Sequence, residues 1–223
     1  MVIYLILIFI LFIILRYKNQ RSYIDNTCFV ERGILNAREC EHIIDIATKY
    51  KFRQDVTCID GKPKYQIDIF GDGIENEELW KICKNIYDSK LKKILNREKW
   101  IPLHKRNLDF VFLKKYTPDE RSYVPLHLDD NYLTMSFLIS DTRNFKGGEL
   151  YVFDIHESNT ILEIDKITDI TIDIRNNFIN NHKNLPILNY NQGDVTVYTG
   201  GIHMHGTLPV THGERYVLTY FFK

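Results

Sequence analysis

The sequence lacks a net charge. Its 223 residues contain 29 basic and 29 acidic side chains, so the formal charge at neutral pH is zero. No overall field therefore draws the chain to nucleic acid or to an anionic membrane surface, and nucleic acid is not an expected partner. The length and the 44% apolar content are sufficient for one domain with one sizeable core.

The sequence also lacks closely spaced cysteines. Cys28, Cys40, Cys58 and Cys83 are 12, 18 and 25 positions apart, which matches no C-x-x-C metal or redox motif. We interpret them as free thiols without a catalytic role. A disulfide is the alternative if the domain lies in an oxidising compartment.

One long apolar run stands apart from the rest of the chain. Residues 1–15, "MVIYLILIFILFIIL", contain no charge and are followed by the basic segment "RYKNQR". As a helix they would span about 22 Å, less than the roughly 30 Å core of a bilayer, and bilayer thinning or Tyr17 at the interface would cover the difference. No basic segment precedes the run and no small-residue cleavage site follows it, which favours an uncleaved anchor over a signal peptide. We assign residues 1–22 to this membrane anchor and its basic flank.

Two amphipathic helices are predicted in the first half of the remaining chain, residues 23–223. The first begins at the N-cap Asn36, with Glu39 three positions later, and carries apolar residues at helical spacing through "NARECEHIIDIATKYKF". The second extends from about Glu77 to Leu95. Each has a single apolar stripe, so both are expected to pack on one face of a sheet.

Short alternating segments dominate from Asn107 onward. Together with an early strand near "TCFVERGIL" and another at "YQIDIFG", they predict an α+β fold in which N-terminal helices pack on an antiparallel jelly roll, a double-stranded β-helix. Residues 154–191 are long for a connection and include the alternating "ITDITIDI", which predicts an extra hairpin or a lid over a site. The predicted strands are "LDFVFLKKY", "LTMSFLIS", "GELYVFD", "DITIDI", "DVTVYTG" and "RYVLTYFF".

An H-x-D triplet opens the stretch "HLDDNYLTMSFLIS". In an extended segment, residues two apart share a face, so His127 and Asp129 form a candidate pair of metal ligands. A jelly roll brings a late strand beside this position, and His203, His205 and His212 are the candidates for a third ligand. Two histidines and one carboxylate are the ligand set of non-haem Fe(II) oxygenases.

Three segments resemble the Fe(II)- and 2-oxoglutarate-dependent dioxygenases, especially the catalytic domains of prolyl 4-hydroxylases and procollagen lysyl hydroxylases. They are "KYTPDERSYVPLHLDDNYLTMSFLIS", "FKGGELYVF" and "HMHGTLPVTHGERYVL". The helix segment "ILNARECEHII" also resembles the start of prolyl 4-hydroxylase domains, so the resemblance covers most of residues 29–223. It places the iron-binding core in residues 107–223.

The resemblance implies roles for individual residues. His205 would join His127 and Asp129 as the distal iron ligand, with His203 beside it as a supporting or substrate-facing residue. Arg215 would bind the distal carboxylate of 2-oxoglutarate, a role that suits a bidentate and permanently charged side chain. Tyr116 is interpreted either as a hydrogen-bond donor to this cosubstrate or as a core tyrosine. Two other histidines, His104 and His212, are expected at the surface.

The resemblance further implies hydroxylation of an unactivated C–H bond in a prolyl or lysyl side chain of a protein or peptide, with release of succinate and CO2. Fe(II) and 2-oxoglutarate would be required, and ascorbate is a further expected cofactor. The basic flank favours a cytosolic domain, whereas enzymes of this class often work in a secretory lumen, so the side of the membrane stays open. The alternatives are a zinc hydrolase with the same ligands and a non-catalytic, membrane-anchored binding module.

Overall fold

A computed structural model describes residues 21–25, 27–55, 59–168, 172–182 and 184–223. The predicted anchor over residues 1–15 lies outside these ranges, as does Cys58. Within the described ranges, no helix is long and apolar enough to cross a membrane.

A seven-stranded sheet forms the centre of the fold. Every neighbouring pair is antiparallel, and the order is β1-β2-β8-β5-β11-β4-β3, so strands from both ends of the chain lie side by side. This confirms the predicted antiparallel sheet and most of its predicted strands. The strands are β1 (Arg21–Asp25), β2 (Cys28–Glu31), β3 (Gln66–Phe70), β4 (Leu108–Tyr116), β5 (Leu133–Leu138), β8 (Val195–Thr199) and β11 (Arg215–Phe222).

Both predicted N-terminal helices are present. Helix α1 (Ala37–Ala47) begins with a capping box, in which the Asn36 side chain accepts from the Glu39 N–H and the Glu39 carboxylate accepts from the Asn36 N–H. The second predicted helix consists of α2 (Glu77–Ile86), a π-helical turn over Tyr87–Leu91, and α3 (Lys92–Arg97).

The two faces of the sheet differ because side chains alternate along each strand. On β4, Val111 and Leu113 belong to the core shared with the helices, whereas Phe112, Lys114 and Tyr116 line a cavity on the other face. The neighbouring strands follow the same rule. The helix-facing residues on them are Leu133, Met135, Phe137, Val195, Val197, Leu218, Tyr220 and Phe222.

Two short strand pairs cover the cavity face. Strand β6 (Phe145–Gly147) pairs with β10 (Val210–Gly213), and β7 (Leu150–Val152) pairs with β9 (His205–Thr207). An isolated bridge joins His127 to His205, and both lie on the cavity wall together with residues of the large sheet. The result is a mixed fold with a large antiparallel sheet, and it agrees with the expected jelly roll with helices on one face.

The prediction of a strand at "ITDITIDI", and with it an extra hairpin, was wrong. The described residues on either side of 169–171 form helices α4 (Ile155–Thr168) and α5 (Ile172–Asn181). Ile161 and Ile179 pack with Phe153 and Met204 in a separate apolar cluster. Alternation of β-branched residues is therefore not sufficient to specify a strand.

Candidate metal centre

The structure brings His127, Asp129 and His205 together. One ligand atom from each lies within 4.8 Å of the others. The Asp129 carboxylate lies between the rings: its Oδ1 is 3.4 Å from His127 Nε2, and its Oδ2 is 3.5 Å from His205 Nε2. The backbone bridge between residues 127 and 205, with N···O distances of 2.8 and 2.9 Å, fixes the spacing of the two histidines.

The H-x-D triplet does not form a continuous strand with the residues that follow it. His127 makes one bridge, and strand β5 begins only at Leu133. Asp129 is held instead by the Asp129 N–H bond to Gly200 O and by the Thr134 hydroxyl, which donates to Asp129 Oδ2 at 2.5 Å. Asp130 is exposed and does not belong to the group of ligand atoms.

Backbone contacts orient both imidazoles. His127 Nδ1 lies 2.8 Å from Pro125 O, and His205 Nδ1 lies 2.9 Å from His203 O. A carbonyl accepts only from a protonated Nδ1, so each ring presents Nε2 to Asp129. This arrangement of backbone carbonyl, imidazole and ligand site is the usual support for a histidine-bound metal.

The electrostatics of the triad also suit a cation. Burial lowers the pKa of His127, and neighbouring His205 adds to that effect. Burial opposes the ionisation of Asp129, but the two histidines outweigh it and hold the pKa of Asp129 well below its usual range. Burial likewise disfavours protonation of His205, yet the Asp129 carboxylate outweighs it and raises the pKa of His205. The site thus offers an ionised carboxylate and two imidazoles, which fits Fe(II) or another first-row divalent metal.

His203 does not face the cavity. It is fully buried, with Nδ1 2.9 Å from Phe153 O and Nε2 3.0 Å from Thr27 Oγ1, and only its backbone carbonyl supports the His205 ring. Of its two expected roles, the supporting one agrees with this geometry. His104 and His212 are exposed, as expected from the sequence.

Arg215 lies at the other end of the same cavity. It is 2% exposed and begins β11, where it pairs with Tyr116 of β4. Its Cζ lies 5.2 Å from the centroid of the Tyr116 ring, and its Nη2 donates to the Tyr190 hydroxyl at 2.5 Å. Burial of the Tyr190 side chain raises the pKa of this hydroxyl. A guanidinium held in this way is suited to bind a carboxylate from the cavity.

Gly148 permits the close approach of Arg215. Its φ of +75° is costly for other residues, and a Cβ at this position would lie 2.7 Å from Arg215 Cδ and 2.7 Å from Val210 Cγ2. The G-G pair of the segment "FKGGELYVF" therefore has a local physical explanation: the second glycine leaves room for the arginine side chain.

The cavity between the triad and Arg215 has a volume of about 100 Å³. Its wall includes hydroxyl-bearing side chains of the large sheet, and Ser136 hydrogen-bonds to Thr219 at 2.9 Å. Tyr116 lines the cavity and is only 6% exposed, so both of its predicted roles, cosubstrate donor and core residue, are compatible with its position. The triad, Arg215 and Tyr116, which the sequence hypothesis assigns to the site, all line this cavity.

Sequence reasoning missed Tyr190, Thr134 and Lys114. Thr134, within "LTMSFLIS", and Lys114, within "LDFVFLKKY", occupy inward positions of alternating strands, which is a signal that could have found them. Tyr190 follows the helical insertion at a position with no periodic pattern. The buried residues Cys28, Cys40 and Cys83 form no disulfide with one another, and burial raises the pKa of Cys40 and Cys83 to about 12, which disfavours a reactive thiolate.

No protein-family profile matches the sequence, and a search of curated proteins gives no significant match. Solved structures do match, and they include 2-oxoglutarate- and Fe(II)-dependent oxygenases and prolyl hydroxylases. The fold of the chain is therefore the fold of this class, as the resemblance of the motifs predicted.

Three of these structures illustrate the match. The viral collagen prolyl hydroxylase of Paramecium bursaria Chlorella virus-1, in complex with 2-oxoglutarate, is 16% identical, with a TM-score of 0.52 over 86% of this chain and 93% of that one. A Pseudomonas putida prolyl-4-hydroxylase is 14% identical, with a TM-score of 0.53 over 87% and 90%. HygX from Streptomyces hygroscopicus, with nickel and 2-oxoglutarate bound, is 15% identical, with a TM-score of 0.57 over 88% and 84%.

Proposed function

We propose that this chain is an Fe(II)- and 2-oxoglutarate-dependent oxygenase that hydroxylates an unactivated C–H bond. The observation that carries the proposal is a single cavity with a metal-binding triad at one end and a buried arginine at the other. The fold shared with oxygenases solved with iron or 2-oxoglutarate supports it. Neither a hydrolase nor a simple binding module gives a reason for burying Arg215 opposite the triad.

The residues present fit the implied groups. His127, Asp129 and His205 would hold Fe(II) by two nitrogens and one oxygen and leave the remaining positions for other ligands. When bound, Fe(II) and 2-oxoglutarate together supply the oxidising power for hydroxylation by dioxygen, with release of succinate and CO2. Ascorbate is a further proposed cofactor, as in the sequence hypothesis.

The protein's own residues position and shield the reactants. Arg215 would pair with the distal carboxylate of 2-oxoglutarate, while the hydroxyl of Tyr190 holds the guanidinium in place. Tyr116 lies beside this pair and would contact the cosubstrate. The cavity is lined by residues of the large sheet and of β7 and β9, and a bound cosubstrate would displace water from the space between the triad and Arg215.

For the substrate, we propose a prolyl or lysyl side chain of a protein or peptide. Two of the three structures described above are named as prolyl hydroxylases, and one of them acts on collagen according to its name. Turnover of 2-oxoglutarate in the presence of proline-containing and lysine-containing peptides tests this. Stimulation by neither peptide set, with an intact metal centre, would contradict the peptide proposal while leaving the oxygenase proposal standing.

The test of the oxygenase proposal is anaerobic addition of Fe(II) and 2-oxoglutarate to the full-length chain in mild detergent. The expected result is the weak visible charge-transfer absorption of the chelate. We expect His205→Ala to abolish this band and Arg215→Ala to require much more 2-oxoglutarate to produce it. The exposed residues His212 and Arg143 supply matched controls, and His212→Ala and Arg143→Ala should behave as the unchanged protein. Absence of the band in the folded, unchanged chain would refute the proposal.

We further propose that residues 1–15 anchor the protein in a membrane, on either the cytosolic or the lumenal side. The support is the uncharged apolar run followed by basic residues. A soluble reporter protein fused to residues 1–22 should remain with membranes after alkaline extraction. Its release into the soluble fraction would contradict the anchor.

A further inference from the structure

The inserted helices α4 and α5 lie behind the two histidine ligands. Leu126 and Met204 immediately precede the ligands His127 and His205 in the chain. Neighbouring residues of an extended segment point to opposite faces, and accordingly His127 and His205 line the cavity whereas Leu126 and Met204 do not. The side chains of Leu126 and Met204 are instead buried in the apolar cluster to which both helices contribute. The insertion therefore packs against the reverse side of the backbone that carries the histidines.

Ser158 joins α4 directly to the backbone beside His205. It is fully buried, and its hydroxyl accepts from the Met204 N–H at 2.9 Å and donates to Phe153 O at 3.2 Å. The Phe153 N–H in turn donates to Met204 O at 2.9 Å. Both backbone polar groups of Met204 are thus bound by Phe153 and Ser158, so the start of α4 sets the position of this residue.

The same hydrogen bonds extend to the imidazole of His205. His203 Nδ1 lies 2.9 Å from Phe153 O, and His205 Nδ1 lies 2.9 Å from His203 O. Met204 is the residue between these two histidines, so a shift of its backbone would move both the His205 ring and the carbonyl that orients it. The position of His205 Nε2 at the metal site therefore depends on where α4 holds Met204.

Helix α5 makes a contact of the same kind beside the other histidine. Arg175 Nη1 donates to Leu126 O at 3.1 Å, and the isolated bridge joins the next residue, His127, to His205. The insertion thus contacts the chain next to each histidine ligand. The contact of Ser158 is the fully buried one, and a single hydroxyl makes it, so it is the contact that a substitution can remove cleanly.

The Ser158 hydroxyl is not used within its own helix. Serine and threonine in helices often donate to the carbonyl four residues earlier, as Thr160 does to His156 O at 2.9 Å. Ser158 bonds instead to Phe153 and Met204, which both lie outside α4. Removal of the hydroxyl would leave the Met204 N–H without this acceptor in a buried region, which is costly unless the backbone moves.

We propose that Ser158 is a positioning residue for the metal centre, and that the helical insertion acts as a brace for the ligand His205. The inference rests on the proposed function and extends it to α4. Mutation of groups that orient a metal ligand typically lowers metal affinity by about 10- to 100-fold. We therefore expect Ser158→Ala to raise the Kd for a divalent metal by about tenfold or more.

Ser140 provides a matched control. It is also buried, and its hydroxyl makes the same pair of bonds: it accepts from the Tyr216 N–H at 2.7 Å and donates to Glu214 O at 3.1 Å. These two partners flank Arg215, at the other end of the cavity from the triad. Ser140→Ala should therefore lose a comparable amount of stability and leave the binding of a metal alone unchanged. Thr160→Ala, at an exposed position of α4, should change neither property measurably.

The experiment is a calorimetric titration of the full-length chain with Ni(II), in mild detergent and without 2-oxoglutarate. Ni(II) is bound in the HygX structure and resists oxidation, so it is a convenient probe. The melting temperatures of the metal-free variants report the structural cost of each substitution. We expect Ser158→Ala and Ser140→Ala both to melt below the unchanged chain, and only Ser158→Ala to lose affinity for Ni(II). Ser158→Thr, which keeps the hydroxyl, should bind Ni(II) more tightly than Ser158→Ala.

A second measurement needs no substitution. If α4 favours the metal-binding geometry, the bound metal must stabilise α4 by the same free energy, because coupling between two equilibria is reciprocal. Amide hydrogen exchange in α4 should therefore slow on addition of Ni(II) by a larger factor than in α2, which packs on the opposite face of the sheet. This excess protection should disappear in Ser158→Ala and persist in Ser140→Ala.

The outcomes separate the inference from the proposed function. If the unchanged chain binds no Ni(II) and gives no band with Fe(II) and 2-oxoglutarate, the proposed function fails and the inference fails with it. If the unchanged chain binds Ni(II) but Ser158→Ala binds it equally tightly, or Ser140→Ala loses as much affinity, the inference alone is overturned. Equal protection of α4 and α2 in the unchanged chain would also overturn it, and this arm decides the question if Ser158→Ala does not fold.

Discussion

Removal of one hydroxyl should weaken the binding of 2-oxoglutarate measurably. Tyr190→Phe deletes the acceptor of the 2.5 Å hydrogen bond from Arg215 Nη2 and leaves the buried ring in place. A hydrogen bond to a charged group contributes about 1.5–3 kcal/mol, and each 1.4 kcal/mol corresponds to about a tenfold change in affinity. We expect the Kd for 2-oxoglutarate to rise about tenfold to a hundredfold, since the guanidinium loses its support.

The assay is an anaerobic titration of 2-oxoglutarate at a fixed Fe(II) concentration, followed by the visible band. Tyr216→Phe is the matched control, because Tyr216 neighbours Arg215 in β11 but belongs to the opposite, helix-facing core, and its hydroxyl donates to Glu214 at 2.7 Å. The melting temperatures of both variants verify that they are folded. An unchanged Kd in Tyr190→Phe, or an equal increase in Tyr216→Phe, would refute the role that we assign to Tyr190.

Two further predictions follow from contacts already described. Gly148→Ala should cost about 1–2 kcal/mol of stability through its positive φ alone, and should raise the requirement for 2-oxoglutarate because its Cβ displaces Arg215. Gly201→Ala, whose Cβ would meet nothing closer than 3.8 Å, is the control, and equal effects of the two would contradict the contact argument. For Glu39, burial opposes ionisation but Lys90 and the Asn36 N–H outweigh it, so its pKa lies below the ordinary 4.5. A lowered carboxyl pKa stabilises the fold above pH 4.5 and loses its effect as the pH falls through the native value. Glu39→Gln should therefore be less stable in urea at pH 7, by less than about 1 kcal/mol for this partly exposed pair, and the difference should shrink towards pH 3.5; a constant difference would contradict this assignment.

Local patterns in the sequence were sufficient to predict much of the fold. The capping residues at Asn36 and Glu39 and the apolar stripe behind them predicted α1 closely, because helix starts depend on groups within one turn. Alternation predicted β4, β5, β8 and β11, because each has one face on the helices and one on the cavity. The same rule failed at "ITDITIDI", where β-branched residues alternate but the described residues on either side of 169–171 lie in helices α4 and α5.

The sequence by itself determined which side chains were available for the site: an H-x-D triplet, a late histidine and an arginine ten positions after it. These could be found because metal ligands and carboxylate binders are restricted to few residue types. Only the tertiary structure decided that His205, rather than His203 or His212, bridges to His127, and that Tyr190 supports Arg215 from the end of a helical insertion. It also decided that Lys114 faces the cavity while Lys115 does not. Contacts between residues far apart in the chain depend on strand register and on the packing of the helices and strands. A local sequence pattern determines neither of these.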